Sequence, residues 1–253
     1  MIIVENLRKK FGSKEVLKGI NFTVNDGEIY GLLGPNGSGK STTMRILSGI
    51  ITDFEGKVMV AGVDVSRDPM KVKEIVGYVP ETPALYESLT PAEFFSFIGG
   101  VRRIPQDILE ERVKRLVDAF GIGKYMNQLI GTLSFGTKQK ISLISALLHD
   151  PQVLILDEAM NGLDPKSARI FRELLFEFKE EGKSIVFSTH ILALAEVMCD
   201  RIGIIYEGRI VAEGTIDELR EIAREEKLED IFLKLTQAKE EVSQIVSALK
   251  EAL

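Results

Sequence analysis

Gly34-Pro35-Asn36-Gly37-Ser38-Gly39-Lys40-Ser41 follows an apolar run, Ile29 to Leu33, and leads into Lys40 to Leu47, which reads as a helix closed by Gly49. The pattern G-x-x-x-x-G-K-S carries meaning in this context, after a strand and before a helix. Glycines at 34, 37 and 39 keep Cβ atoms out of the way, so backbone N–H groups can turn inward around an anion. Pro35, Asn36 and Ser38 complete the wrapping loop. The helix opening at Lys40 adds free amides and the positive end of its dipole. Lys40 supplies a point charge for β and γ phosphates, the Ser41 hydroxyl suits Mg²⁺, and Thr42 can donate to an α phosphate. At average residue usage a chance match arises on the order of once in a hundred such chains. The stretch reads as a nucleoside triphosphate site.

Hydrolysis needs a carboxylate for the metal and a group to orient the attacking water. Val153-Leu154-Ile155-Leu156-Asp157-Glu158 offers both at the end of a buried-type strand. Asp157 is placed to hold Mg²⁺ through water, and Glu158 to act as general base or water positioner. Two carboxylates after an apolar strand are also an ordinary solvated strand end; the phosphate cradle upstream favours the functional reading.

The rest of the chain sets the frame. Ile2 to Leu7 reads as a strand, and Val24-Asn25-Asp26-Gly27 as a turn. Thr90-Pro91-Ala92-Glu93 combines a capping box with proline at the first helical position, ahead of Phe94, Phe95, Phe97 and Ile98. Ile108, Val113, Leu116, Val117 and Phe120 mark a second helix ending at Gly121; a third begins near Gly136 and ends before Pro151. Strand, helix and strand then alternate: Val153 to Leu156, Pro165 to Lys179 closed by Gly182, and Ser184 to Phe187. That alternation on both sides of a helical insert implies an α/β fold with a mainly parallel sheet. Ile202 to Tyr206 and Ile210 to Ala212 read as a hairpin, and Ile231, Phe232, Leu235, Val242, Ile245, Val246 and Leu249 share one helical face.

Composition narrows the trade. Lys plus Arg number 32 against 38 Asp plus Glu, a net charge of −6, which argues against a chain that grips nucleic acid. The longest uncharged stretch, Tyr125 to Thr137, falls short of the ~20 apolar residues of a membrane helix. Met1-Ile2-Ile3-Val4-Glu5 lacks the basic and apolar regions of a secretory signal. The single cysteine, Cys199, forms no internal disulfide, and the chain reads as cytosolic.

Lys40-Ser41, Leu133-Ser134-Phe135-Gly136-Thr137, Asp157-Glu158, Asn161-Gly162-Leu163-Asp164 and Thr189-His190 occur in the order and rough spacing of one family. Over residues 1 to about 225 the sequence resembles the ATP-binding subunits of ABC transporters. The resemblance implies a P-loop NTPase core with an N-terminal antiparallel β subdomain and a helical insert at about 85–150. Residues 226–253 would form a C-terminal helical extension. It implies ATP and Mg²⁺ as cofactors and ATP hydrolysis as the activity. Ser134 and Gly136 would then cap the γ phosphate of ATP held by a second subunit, although Ser-Phe-Gly-Thr alone is an ordinary helix start. Phe11, 23 residues before Gly34, takes the place of the aromatic that stacks on adenine; a core phenylalanine is the alternative. Asp164 resembles the loop residue linking two active sites, and Asp164-Pro165 is also a good N-cap. His190 resembles the switch histidine, at the strand end where α/β sheets bind ligands. His149 reads as a helix-end residue near the negative dipole.

Two departures stand out. Glu81 follows Gly77-Tyr78-Val79-Pro80 where the family carries glutamine, so a carboxylate replaces an amide among the metal ligands. Phe135 and Thr137 replace a glycine and a glutamine; with Leu228-Glu229-Asp230-Ile231-Phe232-Leu233 they resemble the export-type subgroup handling drugs or lipids. The implied partners are a transmembrane permease subunit and a second copy or a homologous subunit, paired head to tail. No nucleic acid is implied, and membrane contact comes only through the permease, at the inner face of the cell membrane. Two other readings stay open: the ATPase of a cytosolic assembly machine, and a nucleotide-gated switch with negligible turnover. Glu158 speaks against the switch, which has no need of a base.

Overall fold

The computed structural model describes residues 1–225 and 227–236. Two sheets organise them. The first is antiparallel, built from β1 (Ile2–Phe11), β2 (Lys14–Val24), β4 (Glu55–Val60) and β5 (Val63–Asp64), in the order β2-β1-β4-β5. The second contains β3 (Ile29–Leu33), β6 (Val76–Val79), β7 (Val153–Asp157), β8 (Ser184–Ser188), β9 (Arg201–Tyr206) and β10 (Arg209–Gly214). Its order is β10-β9-β3-β8-β7-β6, parallel throughout except for the β9–β10 hairpin. Every residue of β3, β7 and β8 is buried, as expected for parallel strands covered on both faces.

Period-two alternation sorts those strands between two cores. Val153, Ile155 and Val186 pack with α1 (Lys40–Leu47) and the antiparallel sheet, against Ile2, Val4, Leu17 and Val58. Leu154, Leu156, Ile185 and Phe187 face the other way, against helices. Between β6 and β7 the chain runs through α3 (Pro91–Val101), α4 (Gln106–Phe120) and α5 (Phe135–Leu147), with two short 3-10 turns. α6 (Pro165–Glu180) follows β7, and α7 (Leu192–Met198) follows β8. The short α2 (Pro69–Ile75) precedes β6; α8 (Ile216–Ala223) and α9 (Leu228–Leu235) follow β10. The expected face at Val242, Ile245, Val246 and Leu249 lies outside the described residues.

Local signals placed the helix ends well. Thr90 and Glu93 form a reciprocal capping box at α3, and α4 stops at Gly121, which is left-handed at φ 66. The four aromatic and aliphatic residues opening α3 divide: Phe94 and Phe95 are core, while Phe97 is exposed. β1 outruns the expected Ile2–Leu7 and continues through Arg8-Lys9-Lys10 to Phe11. Charge does not end it, because Lys9 buries its stem and reaches Asp53 with its ammonium, 3.1 Å from Oδ2. His149 follows the C-cap of α5, at the helix end as expected, and its Nε2 lies 3.1 Å from the Val76 carbonyl. Burial and the Arg102 charge push its pKa down to about 4, overriding the dipole. Among the described residues no helix is long and apolar enough to cross a membrane.

Candidate active site

Parallel pairing aligns the carboxyl ends of β3, β7 and β8: Leu32 lies opposite Ser188, and Asp157 also lies opposite Ser188. The loop after each strand therefore opens on one edge, where parallel sheets gather ligands. A cleft of about 480 Å³ lies there, walled by Phe11, Lys14, Val16, Asn36, Gly37, Gly39, Lys40, Ser41, Thr42, Glu81 and Glu158. Nine of those residues are ones the sequence singled out; Lys14 and Val16 are not. Their signal was the hairpin register, in which Lys14 faces Phe11 at the cleft rim. Phe11 is half exposed, which removes the core alternative; Lys9 Nζ stands 4.9 Å from its ring centre.

The glycines serve two different needs. Gly37 and Gly39 hold positive φ, 78° and 114°. Gly34 needs room instead, since a Cβ there would stand 2.3 Å from the Ile205 carbonyl. Gly39 caps α1 without any side-chain bond, and no acid sits in its first turn. By contrast α2, α3, α5, α6 and α8 each close with a side chain, from Asp68, Thr90, Ser134, Asp164 and Thr215. α4, α7 and α9 also open without a side-chain cap, but only α1 follows the glycine loop at the cleft, where an anion would meet its first-turn amides. The buried Lys40 ammonium donates to the carbonyls of Gly34 at 2.7 Å and Pro35 at 3.2 Å. Burial lowers its pKa, against the opposing pull of Glu158, Asp157 and Glu81. Among the described residues Ser38 Oγ is buried without a partner.

Asp157 and Glu158 share Ser188, which the sequence marks only as the strand end before His190. Ser188 Oγ donates to Asp157 Oδ1 at 2.7 Å and accepts from the Glu158 N–H at 3.0 Å. Glu158 takes a left-handed backbone, φ 50, and is largely buried. Its Oε2 accepts from the His190 N–H at 3.3 Å, lies 2.8 Å from His190 Nδ1, and accepts from Asn161 Nδ2 at 3.4 Å. His190 itself is exposed. Exposed Glu81 stands on the cleft wall, directly after Pro80.

Ser134, Gly136 and Asp164 are not among the cleft walls. Ser134 caps α5 and Asp164 caps α6, accepting from Ser167 N–H at 3.0 Å. Gly136 does permit a close approach, but within its own chain: a Cβ would stand 2.4 Å from the Gly162 carbonyl. Lys140 Nζ lies 2.6 Å from Asp164 Oδ2 and holds that carboxyl far below the usual carboxylate range. Among the described residues no cluster of three or more His, Cys, Asp or Glu side chains is fit to hold a metal alone.

Residues 17–161 match the family model described as ABC transporter. The chain belongs to the ABC transporter family. It is an ATP-binding, ATP-hydrolysing subunit of that family. It is 36% identical over 219 residues to the linearmycin resistance ATP-binding protein LnrL of Bacillus subtilis, covering 87% of this chain and 70% of that one. A solved ATP-binding subunit of an ABC transporter superposes with a TM-score of 0.87 at 31% identity, covering 93% of this chain and 99% of that one. A dimeric structure of a bacterial ABC transporter cassette gives a TM-score of 0.77 at 25% identity, over 85% and 98% of the two chains. The match thus reaches this ATPase subunit through both sequence and fold.

Proposed function

We propose that this subunit powers the export of a hydrophobic compound through a separate membrane permease, in a dimer that closes around ATP. The observation that carries the reading is the cleft itself: an uncapped helix N-terminus and Lys40 on one wall, with Glu158 on the other. In that site Phe11 stacks on the base, and the loop from Gly34 to Lys40, with Thr42, holds the phosphates. Ser41 and Asp157, with Glu81 nearby, would hold Mg²⁺, and Ser188 orients Asp157 by its 2.7 Å bond. Bound Mg²⁺ supplies charge neutralisation at the phosphate oxygens. Glu158 takes a proton from the attacking water, and His190 steadies its carboxylate. Ser134 is exposed at the N-terminus of α5, and its hydroxyl would exchange its bond to Thr137 for the anion of a facing subunit. The dimeric relative supports that arrangement.

A second opening of about 470 Å³ lies beside the first, lined by Leu85, Phe94 and Ile98 and by Arg45, Lys73 and Arg102. Pro80 borders this groove while Glu81 borders the cleft, so one dipeptide touches both. A permease segment seated there would be in reach of the nucleotide site, at the inner face of the membrane. Export finds support in the name of LnrL, a resistance protein. Inside-out vesicles carrying this subunit together with its permease partner provide the test. ATP-driven uptake of a hydrophobic dye into those vesicles is the expected result; ATP-driven loss of preloaded dye would reverse the direction.

A further inference from the structure

α5 meets the loop carrying Glu158 along one helical face, at positions i, i+3 and i+4. Gly136 packs on the Gly162 carbonyl, Gln139 donates from Nε2 to the Ala159 carbonyl at 2.8 Å, and Lys140 stands 2.6 Å from Asp164. Ala159 directly follows Glu158, whose left-handed φ of 50 a non-glycine residue keeps only when its surroundings hold it. Ser188 fixes the peptide before Glu158, accepting its N–H at both Oγ and the carbonyl oxygen. Gln139 fixes the second peptide further on, through the Ala159 carbonyl, so the two bonds bracket Glu158 and Ala159. Gln139 is fully buried, and its Oε1 has no partner among the described residues. An apolar side chain would fill the space without that loss, so packing alone does not account for an amide there.

We propose that Gln139 is a positioning residue for hydrolysis: it holds the backbone beside Glu158 and so aims the Glu158 carboxylate. The inference rests on the reading of Glu158 as general base. Because Gln139 stands on the helix whose first turn carries Ser134, a shift of that turn reaches the base through a single hydrogen bond.

The test uses the full chain and four proteins: parent, Gln139→Met, Glu158→Gln, and the double substitution. Gln139→Met keeps the length of the side chain and removes the donor. Its kcat should fall roughly 10- to 100-fold, the scale of a small misplacement of a reacting group. KM, and the affinity and stoichiometry for a non-hydrolysable ATP analogue, should stay within twofold of the parent. In the Glu158→Gln background the same substitution should lower the residual rate less than twofold. Three results overturn the proposal alone: a parental kcat in Gln139→Met beside an inactive Glu158→Gln, a loss of rate that follows a loss of binding stoichiometry, or an undiminished effect in the Glu158→Gln background. Parental turnover in Glu158→Gln overturns the base reading and the proposal together. Should Gln139→Met not fold, Gln139→Asn, one methylene too short to reach Ala159, is measured against the same outcomes.

Discussion

Replacing Lys40 by alanine tests the phosphate cradle directly. The Lys40 ammonium donates to Gly34 and Pro35 carbonyls at 2.7 and 3.2 Å, beside the loop that would hold the phosphates, and phosphate oxygens would replace these neutral acceptors. Hydrogen bonds to charged groups contribute ~1.5–3 kcal/mol each, and one such contribution converts to a roughly 10- to 150-fold loss of affinity. The surroundings favour the upper part of that range. Asp157, Glu158 and Glu81 all act on Lys40, and without it they face the triphosphate with no local lysine between. Titration calorimetry with a non-hydrolysable ATP analogue and Mg²⁺ reads the change. Lys14→Ala provides the contrast: an exposed charge at the cleft rim contributes up to ~1 kcal/mol, so its loss costs up to about fivefold and fades with salt. Affinity within twofold of the parent for Lys40→Ala would refute the assignment of this loop as the phosphate site.

Two further predictions follow from single residues. Glu81→Gln should narrow the difference in nucleotide affinity between Mg²⁺ and EDTA, by up to about fivefold, chiefly through better metal-free binding; an unchanged difference, by fluorescence titration, leaves Glu81 as loop surface. His149 has its pKa lowered from an ordinary 6.5 to about 4, so the unfolded chain binds the extra proton first. Its stabilising contribution is therefore complete above about pH 6.5 and shrinks as pH falls toward 4, by at most ~1.4 kcal/mol per pH unit. The urea midpoint should drop between pH 7.5 and pH 5, and drop less in His149→Gln; equal drops in both proteins would contradict this.

What the sequence made legible was local. The glycine loop, the α1 limits, the Thr90–Glu93 box, the Asp164 cap and the buried runs of β7 and β8 each depend on neighbours a few residues away. What it hid depends on distant partners. β1 keeps its charged end because Lys9 finds Asp53, and His149 is neutralised by burial under Val76 and Arg102. The reason for Gly136 lies 26 positions away at Gly162, and that for Gln139 at Ala159. At the site, all side chains but those of Lys14, Val16 and Ser188 could be named from a motif or its spacing. That Ser188 joins Asp157 to Glu158, and that His190 meets Glu158 at 2.8 Å, follows only from strand register.

Phosphate release by purified Glu158→Gln, measured beside its ATP affinity, bears most directly on the site as a hydrolytic centre. The carboxylate stands on the cleft wall at the end of β7, with one oxygen held by His190 and Asn161. Loss of a general base costs ~10²–10⁴ in rate, whereas the cradle that binds ATP is untouched. Turnover should therefore fall by about that factor, with ATP affinity within twofold of the parent. Parental phosphate release would contradict the account, whatever the affinity.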